Sequence, residues 1–168
     1  MRSFISLVLA VSVLASAAHT GGASASPAPA AAWTWPVVGA VIQPFDPPDT
    51  PYGSGHRGID IAAPVGTVIA APTDGVVTFA GPVGGRLFLT IDHGGGLEST
   101  YSWLSATLVR SGARVARGQP IATTGWGHPN ASIPHLHLGV RLNDAYVDPL
   151  DYLAPASVVG SIRLVPVS

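Results

Sequence analysis

From Trp35 to Leu153 the chain alternates short runs of β-branched and apolar residues with Gly, Pro, Asp and Asn. That punctuation predicts strands separated by turns. Eight segments fit: 37–42, 58–62, 67–70, 75–80, 86–91, 98–104, 121–124 and 135–142. Only 149–153 has a helical pattern, with room for one turn. Strands this frequent, with almost no 3.6-residue period, predict an all-β antiparallel domain, a sandwich or a barrel-sandwich hybrid. Two apolar stretches within 158–167 would add an edge strand or fray as a terminus.

The ends of the chain differ in texture. Arg2 precedes an apolar run over 4–18, and Ala23-Ser24-Ala25 supplies a small-x-small site, so 1–25 is expected to be a secretory signal peptide. This 15-residue run falls short of the roughly 20 apolar residues that span a bilayer, which leaves an uncleaved anchor as the weaker alternative. Residues 26–34 form an Ala/Pro linker, 35–153 the folded domain and 154–168 a C-terminal tail. The expected destination is outside the cytoplasm.

Composition narrows the function. The chain has 168 residues, no cysteine and no lysine, a net charge of −1, and 10% charged residues. Without thiols it is neither a disulfide-stapled domain nor a Cys-based zinc finger. Losing Arg2 with the leader leaves seven arginines against nine carboxylates, a charge of −2, so no cationic surface for nucleic acid exists. A hydrophobic content of 47% argues against disorder. The runs 67–77 and 109–121 resemble strand-turn-strand units of lipoyl and biotinyl carriers, but those attach their cofactor to a lysine, and this chain has none.

Histidine carries the remaining chemistry. His135 and His137 lie two apart in a strand segment, so both imidazoles share one face while Leu136 and Leu138 point to the other. His56 and Asp60 flank a glycine-bearing loop that feeds the strand at 58–62. Alone, each pair fits an ordinary structural hydrogen bond equally well. Together they offer imidazoles and a carboxylate suited to Zn²⁺, and three protein ligands mark a hydrolytic rather than a structural site.

GHRGIDIAAPVGTVIA (55–70) resembles the first signature of the LytM/lysostaphin-type zinc endopeptidases, and PHLHL (134–138) resembles the second. IDHG (91–94) and the stretch 115–125 follow in the same order, so the resemblance covers 35–153. It implies the duplicated-hybrid-motif fold, antiparallel with a groove over zinc, and cleavage of peptide cross-links in bacterial cell-wall peptidoglycan. By position it makes His56, Asp60 and His137 the Zn²⁺ ligands and His135 the catalytic imidazole. His93 falls at a position with a structural role. Trp103, in Tyr101-Ser102-Trp103-Leu104, occupies the place of a second catalytic histidine. Indole donates a hydrogen bond but accepts no proton.

His128, between Gly127 and Pro129, is expected to be a surface-loop histidine, with substitution for the missing imidazole as the alternative. Arg57 and Asn130 are candidates for the groove lining. Trp126 is the tryptophan best placed for exposure, while Trp33 and Trp35 suit core packing or a stacking surface. The implied function is a secreted zinc metalloendopeptidase acting on peptidoglycan peptides, a monomer without nucleic-acid partners and free of the membrane after signal removal. Two alternatives stand beside it. One is a zinc-binding but catalytically impaired relative that binds wall peptides or regulates another wall hydrolase. The other is a structural wall protein whose histidines only support the fold.

Overall fold

A computed structural model describes residues 32–50, 53–129 and 131–155. The expected leader at 1–25, Asn130 and the stretch 158–167 lie outside the described residues. Among the described residues ten strands form: β1 (Val41–Gln43), β2 (Ile59–Ala62), β3 (Val68–Ala70), β4 (Gly75–Val83), β5 (Arg86–Asp92), β6 (Leu97–Thr107), β7 (Arg114–Val115), β8 (Pro120–Thr124), β9 (His135–Leu142) and β10 (Ala145–Val147). A single 3₁₀ turn follows at Pro149–Asp151, capped by the Asp148 carboxylate, which accepts from the Leu150 N–H. Each of the eight expected segments overlaps a strand, 37–42 only at Val41 and Ile42. The two strands without a sequence expectation, β7 and β10, are only two and three residues long.

Turn chemistry sets the local connections. Gly84 and Gly85 both have positive φ (57° and 77°), as a two-residue hairpin between β4 and β5 requires. Asn143 and Asp144 do the same (49° and 66°) between β9 and β10.

Every pairing between strands is antiparallel, and the path β1-β2-β9-β6-β5-β4-β7 is an open sheet. The expected all-β antiparallel class is observed, but the sheet branches rather than closing on itself. The branch lies within β6: residues 97–102 pair with β9, whereas Leu104, Ala106 and Thr107 pair with β8. Opposite this change, Leu87 pairs with Leu104 and Leu89 with Tyr101, so Phe88 alone faces Ser102 and Trp103. That is a β-bulge, and Trp103 sits in it with φ of 55°.

One apolar cluster joins Ile59 and Ile61, Leu136, Leu138 and Val140, and Leu89 and Ile91 with Ile69 and Ile121, all fully buried. Leu136 and Leu138 therefore take the core face of β9, as alternation predicts. His93 ties this body together: Nδ1–H donates to the Asp74 carbonyl (2.7 Å), and Nε2 lies 2.8 Å from Ser99 Oγ. Trp33, itself buried, packs its ring 4.6 Å from that imidazole. Burial pushes the His93 pKa down, partly opposed by the Asp74 carbonyl and the Asp92 carboxylate.

Candidate metal centre

The face of β9 opposite the core carries His135 and His137. In the β2–β9 ladder Asp60 stands directly opposite His137, and His135 opposite Ala62. Directly paired residues share a face with Cβ atoms about 5 Å apart, which brings the carboxylate to the imidazole. His56 arrives from the segment before β2, where its backbone exchanges two hydrogen bonds with Asp46 (2.7 and 2.9 Å). The chain passes so close to β9 at Gly58 that a Cβ there would lie 2.3 Å from the Leu138 carbonyl oxygen.

Three ligand atoms converge at this point. His56 Nε2 lies 3.1 Å from Asp60 Oδ1 and 3.1 Å from His137 Nδ1, and the third edge, His137 Nδ1 to Asp60 Oδ1, is 2.9 Å. His56 Nδ1–H donates to the Pro44 carbonyl at 2.7 Å. This fixes the tautomer, so Nε2 faces the cluster as a bare lone pair. Ligands about 2.0–2.1 Å from a tetrahedral zinc lie roughly 3.3 Å apart, close to the observed edges. All three residues are buried, and a buried carboxylate facing imidazole lone pairs is stable only with positive charge among them. The donor set fits a divalent cation such as zinc.

Burial opposes the charged form of Asp60. The hydrogen bond and charge of His137, together with His135 and His128, outweigh it and hold the carboxyl below its usual range.

His135 is 3% exposed and stands beside this triangle, with Nε2 3.5 Å from Asp60 Oδ2. Its Nδ1–H donates to the Ile133 carbonyl (2.8 Å), and Nε2 accepts the His128 backbone N–H (3.2 Å). The structure thus brings His56, Asp60, His135 and His137 together.

The surface-loop expectation for His128 is overturned. Its Nε2 lies 3.3 Å from Asp60 Oδ1, and the ligand atoms of His56, Asp60, His128 and His137 all fall within 4.8 Å of one another. Burial depresses the His128 pKa, with the neighbouring carboxylate of Asp60 acting against it. Only a histidine framed by Gly127 and Pro129, seven positions before His135, signalled it in the sequence. Trp103 lines the same place, its ring 4.0 Å from His128 and 5.4 Å, edge on, from His137.

Two clefts open beside the centre. The larger, about 540 Å³, runs past Ile42, Gln43, Ile133 and His135. The smaller, about 370 Å³, is lined by Arg57, Phe88, Trp103 and Tyr146. Arg57 also donates to the Gly53 carbonyl at 3.0 Å. Trp126 is exposed as expected, Trp33 is buried, and Trp35 donates its indole N–H to the Ala154 carbonyl.

Comparison with known proteins gives consistent findings. The model of Peptidase family M23 matches residues 54–149. The uncharacterized lipoprotein YgeR of Escherichia coli (strain K12) is 37% identical over 125 residues, covering 73% of this chain and 47% of YgeR. The murein hydrolase activator NlpD of Salmonella dublin is 38% identical over 128 residues, covering 75% of this chain and 32% of NlpD. The chain thus spans less than half the length of either relative. Among solved structures, a zinc containing peptidase from Vibrio cholerae aligns with a TM-score of 0.58 at 30% identity, over 71% of this chain and 39% of that one.

Proposed function

The chain belongs to peptidase family M23, and on that premise we propose that it is an exported zinc metalloendopeptidase hydrolysing peptide bonds of bacterial cell-wall peptidoglycan. The observation that carries this reading is the triangle of His56 Nε2, Asp60 Oδ1 and His137 Nδ1 with His135 beside it, at the head of an open cleft. His56, Asp60 and His137 would hold the metal. When bound, zinc supplies Lewis acidity that polarises a carbonyl and activates water near neutral pH.

The remaining work falls to the chain's own groups. With Nδ1–H held by the Ile133 carbonyl, His135 has its acceptor at Nε2, facing the cleft. There it takes the proton of the attacking water as oxygen bonds to the peptide carbon, then returns it to the amine as the C–N bond breaks. An extended peptide suits the open cleft lined by Ile42, Gln43, Pro129, Ile133 and His135. Export rests on the leader at 1–25, and a monomer acting on wall peptides is part of the same proposal.

A second reading has its own support. Trp103 stands where the family has an acid–base histidine, and NlpD is named a murein hydrolase activator. A zinc-binding, hydrolytically weak protein that regulates another wall hydrolase follows from these two points.

The discriminating experiment incubates purified, zinc-loaded protein with peptidoglycan and counts new amino termini. Release that falls about 10²–10⁴-fold in His135→Ala supports the peptidase. Release at background in both, with stimulation of an added wall hydrolase, replaces it with the regulator.

A further inference from the structure

We propose that His128 is a fourth protein ligand of the same centre, and that the segment 125–129 carrying it holds the site in a self-capped, latent form. The proposal rests on the metal-binding reading of His56, Asp60 and His137.

His128 Nε2 is buried and makes no hydrogen bond, although it sits 3.3 Å from Asp60 Oδ1. A buried ring nitrogen without a partner is costly, and here it is aimed into a cluster already rich in lone pairs. Sharing one cation among His56, Asp60, His128 and His137 removes both penalties at once. These four residues supply three nitrogens and one oxygen, which completes the four-coordinate shell that zinc prefers in closed sites.

The same residue also engages His135. Its backbone N–H donates to His135 Nε2, the atom a hydrolytic step needs as proton acceptor. One residue thus takes the remaining ligand position with its side chain and the base's lone pair with its backbone. Both are withheld from water and substrate in this conformation.

The surroundings are built for this fit. The His128 ring rests on the Trp103 indole, which the bulge in β6 presents. Gly127 has φ of 100°, and a Cβ there would lie 2.3 Å from the His135 ring, so only glycine lets the chain pass. The segment is tied to Ala131 by the Trp126 indole N–H donating to the Ala131 carbonyl (2.9 Å) and the Ala131 N–H to the His128 carbonyl (3.1 Å). Both clefts are bordered by His128, which stands between them. A peptide lying across both requires that imidazole to withdraw.

Cobalt(II) absorption and competitive zinc titration of the full chain test the cap without relying on catalysis. For His128→Ala we expect a zinc Kd at least tenfold weaker and a cobalt spectrum altered by a solvent ligand. Gly127→Ala, which pushes the segment off His135, should alter the spectrum in the same way and guards against a misfolded first variant. Wall hydrolysis should rise in both. Unchanged Kd and spectrum in both variants would overturn the cap while leaving the metal centre standing. If the parent protein binds no zinc, or His137→Ala binds it equally well, the underlying centre fails and the cap with it.

Discussion

The imidazole of His128 lies on the indole of Trp103, with ring centroids 4.0 Å apart and planes tilted by 45°. This contact joins two features of the chain, a tryptophan at the place where the family resemblance implies a catalytic histidine and a histidine on the segment before the second signature. The indole offers no proton acceptor, but its broad face gives the imidazole a seat against the ligand cluster. The pair gives Trp103 a structural role at the site through its contact with His128.

Replacing Trp103 tests that role. Trp103→His restores an acid–base group and removes the seat for His128. Wall hydrolysis, measured as new amino termini, should rise by about 10²–10⁴-fold if the missing imidazole limits the rate. Histidine tolerates positive φ better than most side chains, so the thermal midpoint should change little. No gain in rate, with the fold intact, would show that position 103 is not what limits turnover.

Metal binding should register as stability. A ligand at a hundredfold excess over its Kd adds about 2.7 kcal/mol to the native state. For a domain of this size, adding zinc to chelator-treated protein should raise Tm by about 5–15 °C. His137→Ala and His56→Ala should each abolish the rise, while His135→Ala should keep it.

Close backbone approach predicts a cost at Gly125. A Cβ there would lie 2.1 Å from the Trp103 carbonyl oxygen, so Gly125→Ala must displace either the bulge or the start of the capping segment. Denaturant titration should show a loss of about 1–3 kcal/mol. Gly66→Ala is the contrasting control: a Cβ meets nothing within 4 Å there, and any loss comes from its φ of 85° alone.

Acid sensitivity should trace in part to His93. Burial lowers its folded pKa, so between that value and the unfolded value near 6.5 the unfolded chain binds more protons. Its contribution is complete above about pH 6.5 and is lost as pH falls through this window. In chelator-treated protein, His93→Gln should flatten the decline of Tm between neutral pH and the lower end of that window. An identical slope would assign the acid sensitivity to other groups.

Much of this was legible in the residues because it depends on short-range rules. Turn residues marked eight strands, and alternation placed His135 and His137 on one face with Leu136 and Leu138 in the core. Strands β7 and β10 escaped because two or three residues give no period to read. The Asn143-Asp144 turn was the signal for β10, since these two residue types tolerate positive φ.

By itself, then, the sequence determined an antiparallel β domain and the residue types of its centre, since strand periodicity and turn preference are properties of a few neighbouring residues. The tertiary structure decided which atoms meet. Asp60 faces His137 through the β2–β9 register, His56 is delivered by the tight passage at Gly58, and His128 by the passage at Gly127. Those outcomes depend on how closely segments distant in sequence approach one another, a spacing set by backbone sterics at glycine and by the bulge at Trp103.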